Sequence, residues 1–197
     1  MPGPHAHEVP PSSADACVVE LIGSLDSGGS ARVASSLVCA LRTAGVRAVG
    51  VSCFDAQNAT QGDFVALGSR SSTSGPLGHI KLALRLREAL RHERATVVHV
   101  HGERVLLLCW LALLGLRARP KLWFTWHNPE KDALDGARKR PLLRFVMRRC
   151  DRVFGASSEI VGQLTEGRLS RRPAVVFVNG VENSPSSAHL GDDVPTI

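Results

Sequence analysis

Two glycines and an arginine form the first feature of this chain that is suited to hold a ligand. They lie in the segment GGSAR, Gly28 to Arg32, between the apolar run Cys17–Ser24 and a second apolar run with helical spacing. Glycines let backbone N–H groups approach a ligand closely, and a helix N-terminus behind them adds partial positive charge. Gly28, Gly29 and Arg32 are therefore predicted to bind an anion or a sugar. A glycine turn needed only for chain geometry is the alternative.

Histidines near the ends of two other apolar runs are the second such feature. His99 and His101 alternate in the sequence TVVHVH, so they share one face of a strand. We expect His99 to be a hydrogen-bonded core residue and His101 to reach a cleft. A metal site on this pair is disfavoured, because no carboxylate or thiol is evidently placed to complete it.

His127 ends the apolar run KLWFTWH and is the strongest candidate for a catalytic side chain. At that position an imidazole can hydrogen-bond a sugar hydroxyl or a phosphate near a reaction centre. A turn or capping role is the alternative. Glu130, three residues later, is either a base or a solvated loop acid.

Known nucleotide-binding patterns fit the glycine segment poorly. The spacing Gly23-x-x-x-x-Gly28-Gly29-Ser30 approaches a P-loop, but glycine stands where the phosphate-binding lysine belongs. The G-x-G-x-x-G spacing of dinucleotide-binding folds is also absent from this segment. Both classes are therefore disfavoured.

Strand-like and helix-like runs alternate along the chain, which predicts an α/β fold: a Rossmann-like parallel sheet with helices on both faces. Ligands bind beyond the carboxyl ends of the strands in such sheets. Ser157 and Ser158 follow one predicted strand, Arg152–Ala156, and one of them is expected to cap the next helix. Asn179 and Gly180 follow the last predicted strand, Pro173–Val178. These residues are expected to share one edge of the sheet with His101 and His127.

Length and composition fit one globular domain with a local basic surface. The chain has 197 residues, 44% of them hydrophobic, and a net charge of +6. One segment without acids carries six basic residues: Arg138, Lys139, Arg140, Arg144, Arg148 and Arg149. It lies in Leu134–Cys150, which is predicted to be helical, with Pro141 either kinking that helix or starting a new one. The basic residues are predicted to form either a solvated face or a docking site for anionic lipid or an anionic acceptor. Nucleic acid is disfavoured as a partner, because the chain has no Tyr and its Trp and Phe residues lie mainly in apolar runs.

The ends of the chain and its cysteines complete the expected organisation. Residues 1–15 and 183–197 are polar and predicted to be disordered tails around a domain of residues 16–182. The five cysteines are widely spaced and predict buried thiols in a reducing compartment. The longest apolar run, Val105–Leu116, is too short to span a bilayer and is predicted to be a buried helix. The expected location is the cytoplasm, with peripheral attachment to the inner face of the membrane.

Taken in order, these motifs resemble the N-terminal domain of family 4 retaining glycosyltransferases, which have the GT-B fold. The matching segments are Gly23–Leu41, Val97–Gly102, Leu122–Asn128, Cys150–Leu164 and Val176–Glu182. The resemblance implies that this domain binds the acceptor and that a second domain binds the nucleotide-sugar. The nucleotide-sugar is then the donor substrate, and no cofactor or metal is expected.

The resemblance also implies roles for individual residues. It places Gly28 and Gly29 near the donor phosphates or the acceptor, with Arg32 on the first helical turn. It makes His127 the active-site histidine that contacts the transferring sugar. Ser157 and Ser158 match the serine-bearing strand end of the family, and Asn179 and Gly180 match the turn that leads to the second domain.

The C-terminal part of the sequence departs from the family pattern. The basic residues that bind the diphosphate and the E-x7-E pair belong to the second domain, and no two glutamates of this chain are eight positions apart. We therefore expect the isolated chain to be inactive or nearly so, and to act as the acceptor half of a hexosyltransferase completed by a separate donor-binding half. A sugar or lipid-linked molecule is the expected acceptor. The alternatives are a non-enzymatic module that binds a glycan or an anionic membrane, and an inactive truncated remnant.

Overall fold

The computed structural model of the protein describes residues 16–25, 29–54, 64–68, 75–127 and 140–177. Within these residues the strands are β1 Cys17–Ile22, β2 Arg47–Ser52, β3 Phe64–Ala66, β4 Val97–His101, β5 Lys121–Trp126, β6 Arg152–Gly155 and β7 Val175–Val176. The helices are α1 Gly29–Thr43, α2 Gly75–His92, α3 Glu103–Leu113, α4 Pro141–Met147 and α5 Ser158–Glu166. The predicted tails, 1–15 and 183–197, lie outside the described residues.

All seven strands form one parallel sheet in the order β3-β2-β1-β4-β5-β6-β7. The order reverses between β1 and β4, whose register pairs Glu20 with His99 and Ile22 with His101. The predicted α/β class and the Rossmann-like parallel sheet are confirmed. In such sheets the point of reversal opens a crevice at the carboxyl ends of the strands.

Helices cover both faces of the sheet, as predicted. The larger core lies on the face covered by α2, α3, α4 and α5, where Leu21, Val100 and Phe124 are fully buried. The smaller core lies on the other face, where Ala34 and Val38 of α1 pack with Ile22. Strand residues alternate between the two faces, and β1 and β2 contribute to both cores.

Most element boundaries lie within a few residues of the predicted ones, and the largest difference is at the C-terminal end. The last predicted strand, Pro173–Val178, contains only the two-residue β7. Pro141 occupies the first turn of α4, so it begins a new helix and does not kink a longer one. The part of the predicted helix before Arg140 lies outside the described residues.

The cysteines follow the prediction in four of five cases. Cys17, Cys53, Cys109 and Cys150 are buried free thiols, whereas Cys39 is exposed. The prediction was wrong for Cys39 because its position on α1 faces away from the sheet, opposite the buried stripe of that helix.

Candidate functional site

Two of the predicted site residues meet at the carboxyl edge of the sheet. His101 is the last residue of β4, and His127 follows the last residue of β5. The Nδ1 atom of His101 lies 2.9 Å from the Nε2 atom of His127, and the two rings stack with their centroids 5.2 Å apart. His127 is half-buried, so it is the member of this pair that presents a ring to the crevice.

Glu20, a residue that the sequence analysis missed, lies directly behind this histidine pair. Its Oε2 atom is 2.7 Å from Nε2 of His101 and 3.0 Å from Nδ1 of His99. The prediction that no carboxylate is placed near the two histidines was therefore wrong. The register of β1 against β4 brings the three side chains onto one face of the sheet.

His101 borders the crevice, but its side chain is 0% exposed. Both of its ring nitrogens are occupied, one by Glu20 and the other by His127. His101 therefore holds His127 through a hydrogen bond and offers no free ring nitrogen to a ligand.

His99 is a hydrogen-bonded core residue, as expected. Its Nε2 atom lies 2.7 Å from Oγ1 of Thr125 on the neighbouring strand β5. Its ring meets the rings of Trp123, Phe154 and Phe177 edge-on, at centroid distances between 5.7 and 6.3 Å. Such edge-to-face contacts hold the imidazole in one orientation.

Burial and hydrogen bonding set the protonation of this cluster. Burial alone would raise the pKa of Glu20, but hydrogen bonds from His101 and His99 outweigh it and lower that pKa. Burial lowers the pKa of His101, against the opposing effect of Glu20. Burial, with the nearby His101 and His99, lowers the pKa of His127 to about 4. At neutral pH the cluster is one carboxylate with neutral imidazoles at His101 and His127.

The same groups have the chemistry of metal ligands, since ligand atoms of Glu20, His99 and His101 lie within 4.8 Å of one another. Metal bonds of about 2.0–2.1 Å would place neighbouring ligand atoms roughly 3.3 Å apart in a tetrahedral site. The 2.7 Å separation between Glu20 and His101 is instead that of a short hydrogen bond. The arrangement fits a hydrogen-bonded network better than a metal centre.

Helix N-termini line the same edge of the sheet. α1 begins at Gly29, α3 at Glu103 after Gly102, and α5 at Ser158. Gly102 has a φ of 117°, a conformation that favours glycine. The partial positive charges of these termini favour an anionic group in the crevice.

The two serines take the predicted place after β6. The Ser157 hydroxyl accepts a hydrogen bond from the backbone N–H of Ile160 and so caps α5, as expected of one of the two serines. Ser158 is exposed in the first turn of that helix, and Arg32 is exposed on the first turn of α1. Gly28, Glu130, Asn179 and Gly180 lie outside the described residues.

A groove of about 880 Å³ runs from this edge along α3. At one end it is lined by polar groups, among them Ser24, Ser30 and Glu103, together with His101. At the other end it is lined by apolar side chains: Leu107, Leu108, Trp110, Leu111 and Leu142. Sequence analysis missed the apolar end, because α3 was interpreted as a buried helix and its outward residues carry no polar signal.

The predicted basic surface is divided in the structure. Arg140 forms an ion pair with Glu103 at the carboxyl edge of the sheet, with 3.0 Å between Nη1 and Oε1. Arg148 and Arg149 lie at the opposite edge, in a pocket shared with Arg119, Arg171 and Arg172. Arg144 lies between them on α4, and Arg138 and Lys139 lie outside the described residues. The single basic face expected from the sequence is therefore two groups of arginines at the two ends of α4.

This chain belongs to Glycosyltransferase Family 4, whose family model matches residues 27–184. The match covers more than half of the chain and includes every predicted substrate-binding residue. The fold and the family agree with the resemblance drawn from the motifs. The comparison with curated proteins finds no significant match.

Solved glycosyltransferases share the fold. A glycosyltransferase from Rickettsia africae has a TM-score of 0.61 at 16% identity, over 84% of this chain and 43% of its own. HepE from Anabaena, solved with UDP and glucose, has a TM-score of 0.60 at 18% identity, over 83% and 44%. MurG from Acinetobacter baumannii has a TM-score of 0.57 at 12% identity, over 84% and 46%. This chain therefore spans less than half the length of these structures and corresponds to one half of a GT-B architecture.

Proposed function

We propose that this chain is the acceptor-side half of a retaining glycosyltransferase. Completed by a donor-binding half, it transfers a hexose-type sugar from a nucleotide-sugar to an acceptor. Membership of Glycosyltransferase Family 4 supports the reaction class, and the coverage of less than half of the similar structures supports the need for a second half.

The observation that carries the proposal is a neutral, half-buried histidine at the edge of a sheet lined by helix N-termini. Transfer from a nucleotide-sugar separates a diphosphate from a sugar that becomes cationic, so the site must stabilise developing charge. The N-termini of α1 and α5, with Arg32, would contribute to the binding of the anionic diphosphate. His127 would contact the sugar.

The groove along α3 supports an acceptor with two chemical parts. Its polar end, near Ser24 and Ser30, suits the hydroxyl groups of a sugar. Its apolar end, around Trp110 and Leu111, suits a hydrocarbon chain. We therefore favour a lipid-linked acceptor over a free sugar.

The surface of α3 and α4 supports peripheral attachment to a membrane. Leu111, Leu114, Leu142 and Phe145 are exposed there, and Trp110 packs edge-on against Phe145. Exposed Arg144 adds positive charge between Leu142 and Phe145, and the side chain of Arg149 covers the Phe145 ring. Exposed apolar side chains among arginines are typical of surfaces that dock on anionic lipid. Among the described residues, no helix is both long and apolar enough to cross a bilayer.

Calorimetry with a panel of UDP-, GDP- and ADP-sugars tests the division of labour between the halves. The purified chain is expected to show no detectable donor binding, because the basic residues that bind the diphosphate are expected in the other half and the helix N-termini of this half supply only part of the site. Micromolar binding would contradict the assignment of this chain to the acceptor side.

Transfer itself is tested with the protein that co-purifies with this chain. The pair, given radiolabelled nucleotide-sugar and membrane lipid, is expected to move label into the organic phase, and neither protein should do so alone. Salt-sensitive vesicle binding by this chain, without transfer in any combination, would favour the non-enzymatic module instead.

A further inference from the structure

Three side chains form a continuous hydrogen-bonded row that leads from the interior of the sheet to the crevice. Glu20 lies on β1, His101 on β4, and His127 follows β5. The contacts are 2.7 Å between Glu20 Oε2 and His101 Nε2, and 2.9 Å between His101 Nδ1 and His127 Nε2. The first two side chains are 1% and 0% exposed, so water does not compete for these contacts.

Counting the protons in this row fixes the direction of each hydrogen bond. A carboxylate only accepts, so His101 donates from Nε2 to Glu20 and keeps an unprotonated Nδ1. That nitrogen can only accept, so His127 must donate to it from Nε2. A neutral His127 then has no proton at Nδ1, and its free lone pair is available to a ligand.

The lowered pKa values agree with this count. An ionised Glu20, together with neutral His101 and His127, is the state that the hydrogen bonds require. Protonation of Glu20 would allow the whole row to reverse, since its carboxyl could then donate to His101.

A second branch from Glu20 ends inside the core and does not reach the crevice. His99 contacts the same carboxylate through Nδ1, at 3.0 Å, and contacts Oγ1 of Thr125 through Nε2, at 2.7 Å. In this branch His99 donates to Glu20, and the Thr125 hydroxyl donates to His99. The two branches share the carboxylate but not the histidine that faces the crevice.

We propose that Glu20 is a positioning residue that, through His101, holds His127 as the Nε2–H tautomer with its Nδ1 lone pair directed to the ligand. This inference rests on the proposed function and sharpens it, because an accepting nitrogen requires a donor on the ligand. A sugar hydroxyl supplies that donor, and a fully ionised phosphate does not. His127 therefore binds a hydroxyl of the transferring sugar and not the diphosphate.

The first test is the protonation of the imidazole nitrogens in the full chain, labelled with [15N]histidine and observed by long-range 1H–15N correlation NMR at pH 7.5. The His127 signals are assigned by their loss in His127→Gln. We expect an unprotonated Nδ1 and a protonated Nε2 at both His101 and His127. If His127 of the wild-type protein is protonated at Nδ1, or at both nitrogens, that result by itself overturns the proposal.

Two variants then separate positioning from stability. Glu20→Met removes the carboxylate and keeps the side-chain length, so we expect His127 to lose its single tautomer and gain a measurable Nδ1–H population. Thr125→Val removes a buried 2.7 Å hydrogen bond from the other branch, and we expect the His127 tautomer to be unchanged. An unchanged tautomer in Glu20→Met, or an equal shift in both variants, would show that Glu20 does not position His127.

The conservative variant Glu20→Gln covers the case in which Glu20→Met fails to fold. Its amide oxygen can still accept from His101, so the wild-type tautomer is expected to return, and its loss would contradict the proposal. Transfer by the completed enzyme tests the proposed function separately. If His127 has the expected tautomer but the completed enzyme transfers no sugar, the proposed function is wrong and this inference stands. If transfer occurs but Nδ1 of His127 is protonated, this inference is wrong and the proposed function stands.

Discussion

The protonation state of His127 depends on residues that are distant from it in sequence. Glu20 and His101 lie 107 and 26 positions before it, yet the row of hydrogen bonds joins all three at distances of 2.7 and 2.9 Å. With its pKa lowered to about 4, the ring is neutral throughout the neutral range. This neutrality can be tested without knowledge of the ligand.

We expect the free energy of unfolding to fall between pH 7 and pH 4. His127 has a lower pKa folded than unfolded, so the unfolded chain binds more protons in this range, and the stability present above about pH 6.5 is lost on acidification. The lowered pKa of Glu20 acts in the same direction below about pH 4.5. Allowing for partial exposure, the contribution of His127 is about 2 kcal/mol.

Urea denaturation at pH 7, 5.5 and 4 measures this loss, with His127→Asn as the variant that cannot titrate. The difference in stability between pH 7 and pH 4 is expected to be smaller in that variant. An identical difference in both proteins would mean that the pKa of His127 is not lowered.

Replacement of His127 by alanine should abolish transfer in the completed enzyme and leave the fold intact. The ring is half-buried at the edge of the sheet and outside the two cores, so we expect little change in the unfolding midpoint. His92→Ala is the matched control, because His92 is an exposed histidine at the end of α2. Transfer at wild-type rate by His127→Ala would remove His127 from the site.

The sequence predicted His127 but not Glu20, for a physical reason. A histidine that ends an apolar strand is visible as a local pattern, whereas the partner of Glu20 depends on which strands are neighbours. The register of β1 against β4 depends on the order of strands in the sheet and cannot be predicted from the sequence of either strand alone. One signal was available: a carboxylate inside the apolar run CVVELI requires a buried partner.

At the scale of elements, Gly155 makes the close packing of β6 against α5 possible. A Cβ atom there would lie 2.8 Å from Cγ2 of Ile160 and 3.1 Å from the backbone nitrogen of Val161. Gly155→Ala is therefore expected to destabilise the protein by about 1–3 kcal/mol, because the helix would have to move.

Gly162→Ala is the control for this prediction. It lies within α5, with nothing within 4 Å of the added Cβ, and is expected to stabilise the protein by about 0.5–1 kcal/mol. Thermal unfolding of both variants measures the contrast. Equal midpoints would show that β6 and α5 are not packed as described.

The exposed face of α4 should control binding to anionic vesicles. Arg144→Glu with Arg149→Glu reverses two charges at the proposed docking surface, so we expect at least a tenfold loss of binding to vesicles that contain phosphatidylserine. Lys81→Glu with Arg91→Glu on α2 makes the same change in net charge elsewhere and serves as the control. Equal losses in co-sedimentation would indicate a general charge effect and no docking by α4.

The sequence predicted the order and type of the elements well, because each has its own periodicity. The alternation in TVVHVH identified β4 closely. The C-terminal region was harder: β7 has two exposed residues, and its pairing with β6 depends on tertiary structure. The division of the arginines between the ends of α4 also followed only from the fold.

At the scale of the whole molecule, the groove along α3 connects the site of the proposed chemistry with the surface of the proposed attachment. The crevice with His127 lies at the carboxyl edge of the strands, the groove extends from it along α3, and the exposed apolar side chains of α3 and α4 lie beside the groove. A lipid-linked acceptor docked on this surface would need to bring only its sugar to the edge of the sheet. This arrangement joins the two proposals in one geometry.

Thiol labelling provides a test of the packing of the entire domain. All five cysteines lie in the described residues, and only Cys39 is exposed. Burial raises the pKa of the Cys150 thiol to about 12 and raises that of Cys109 as well, which makes both unreactive. Intact-mass measurement is expected to find one maleimide per native chain and five after denaturation. Several labels on the native chain would contradict the described core.

Cys39 also provides a natural attachment site for a single fluorescent dye. Cys39 lies on α1, the helix whose N-terminus is at the crevice, and its side chain points away from the sheet. A single dye there needs no engineered mutation and leaves the buried thiols untouched. Energy transfer from it to a second dye on a candidate partner would report docking in real time.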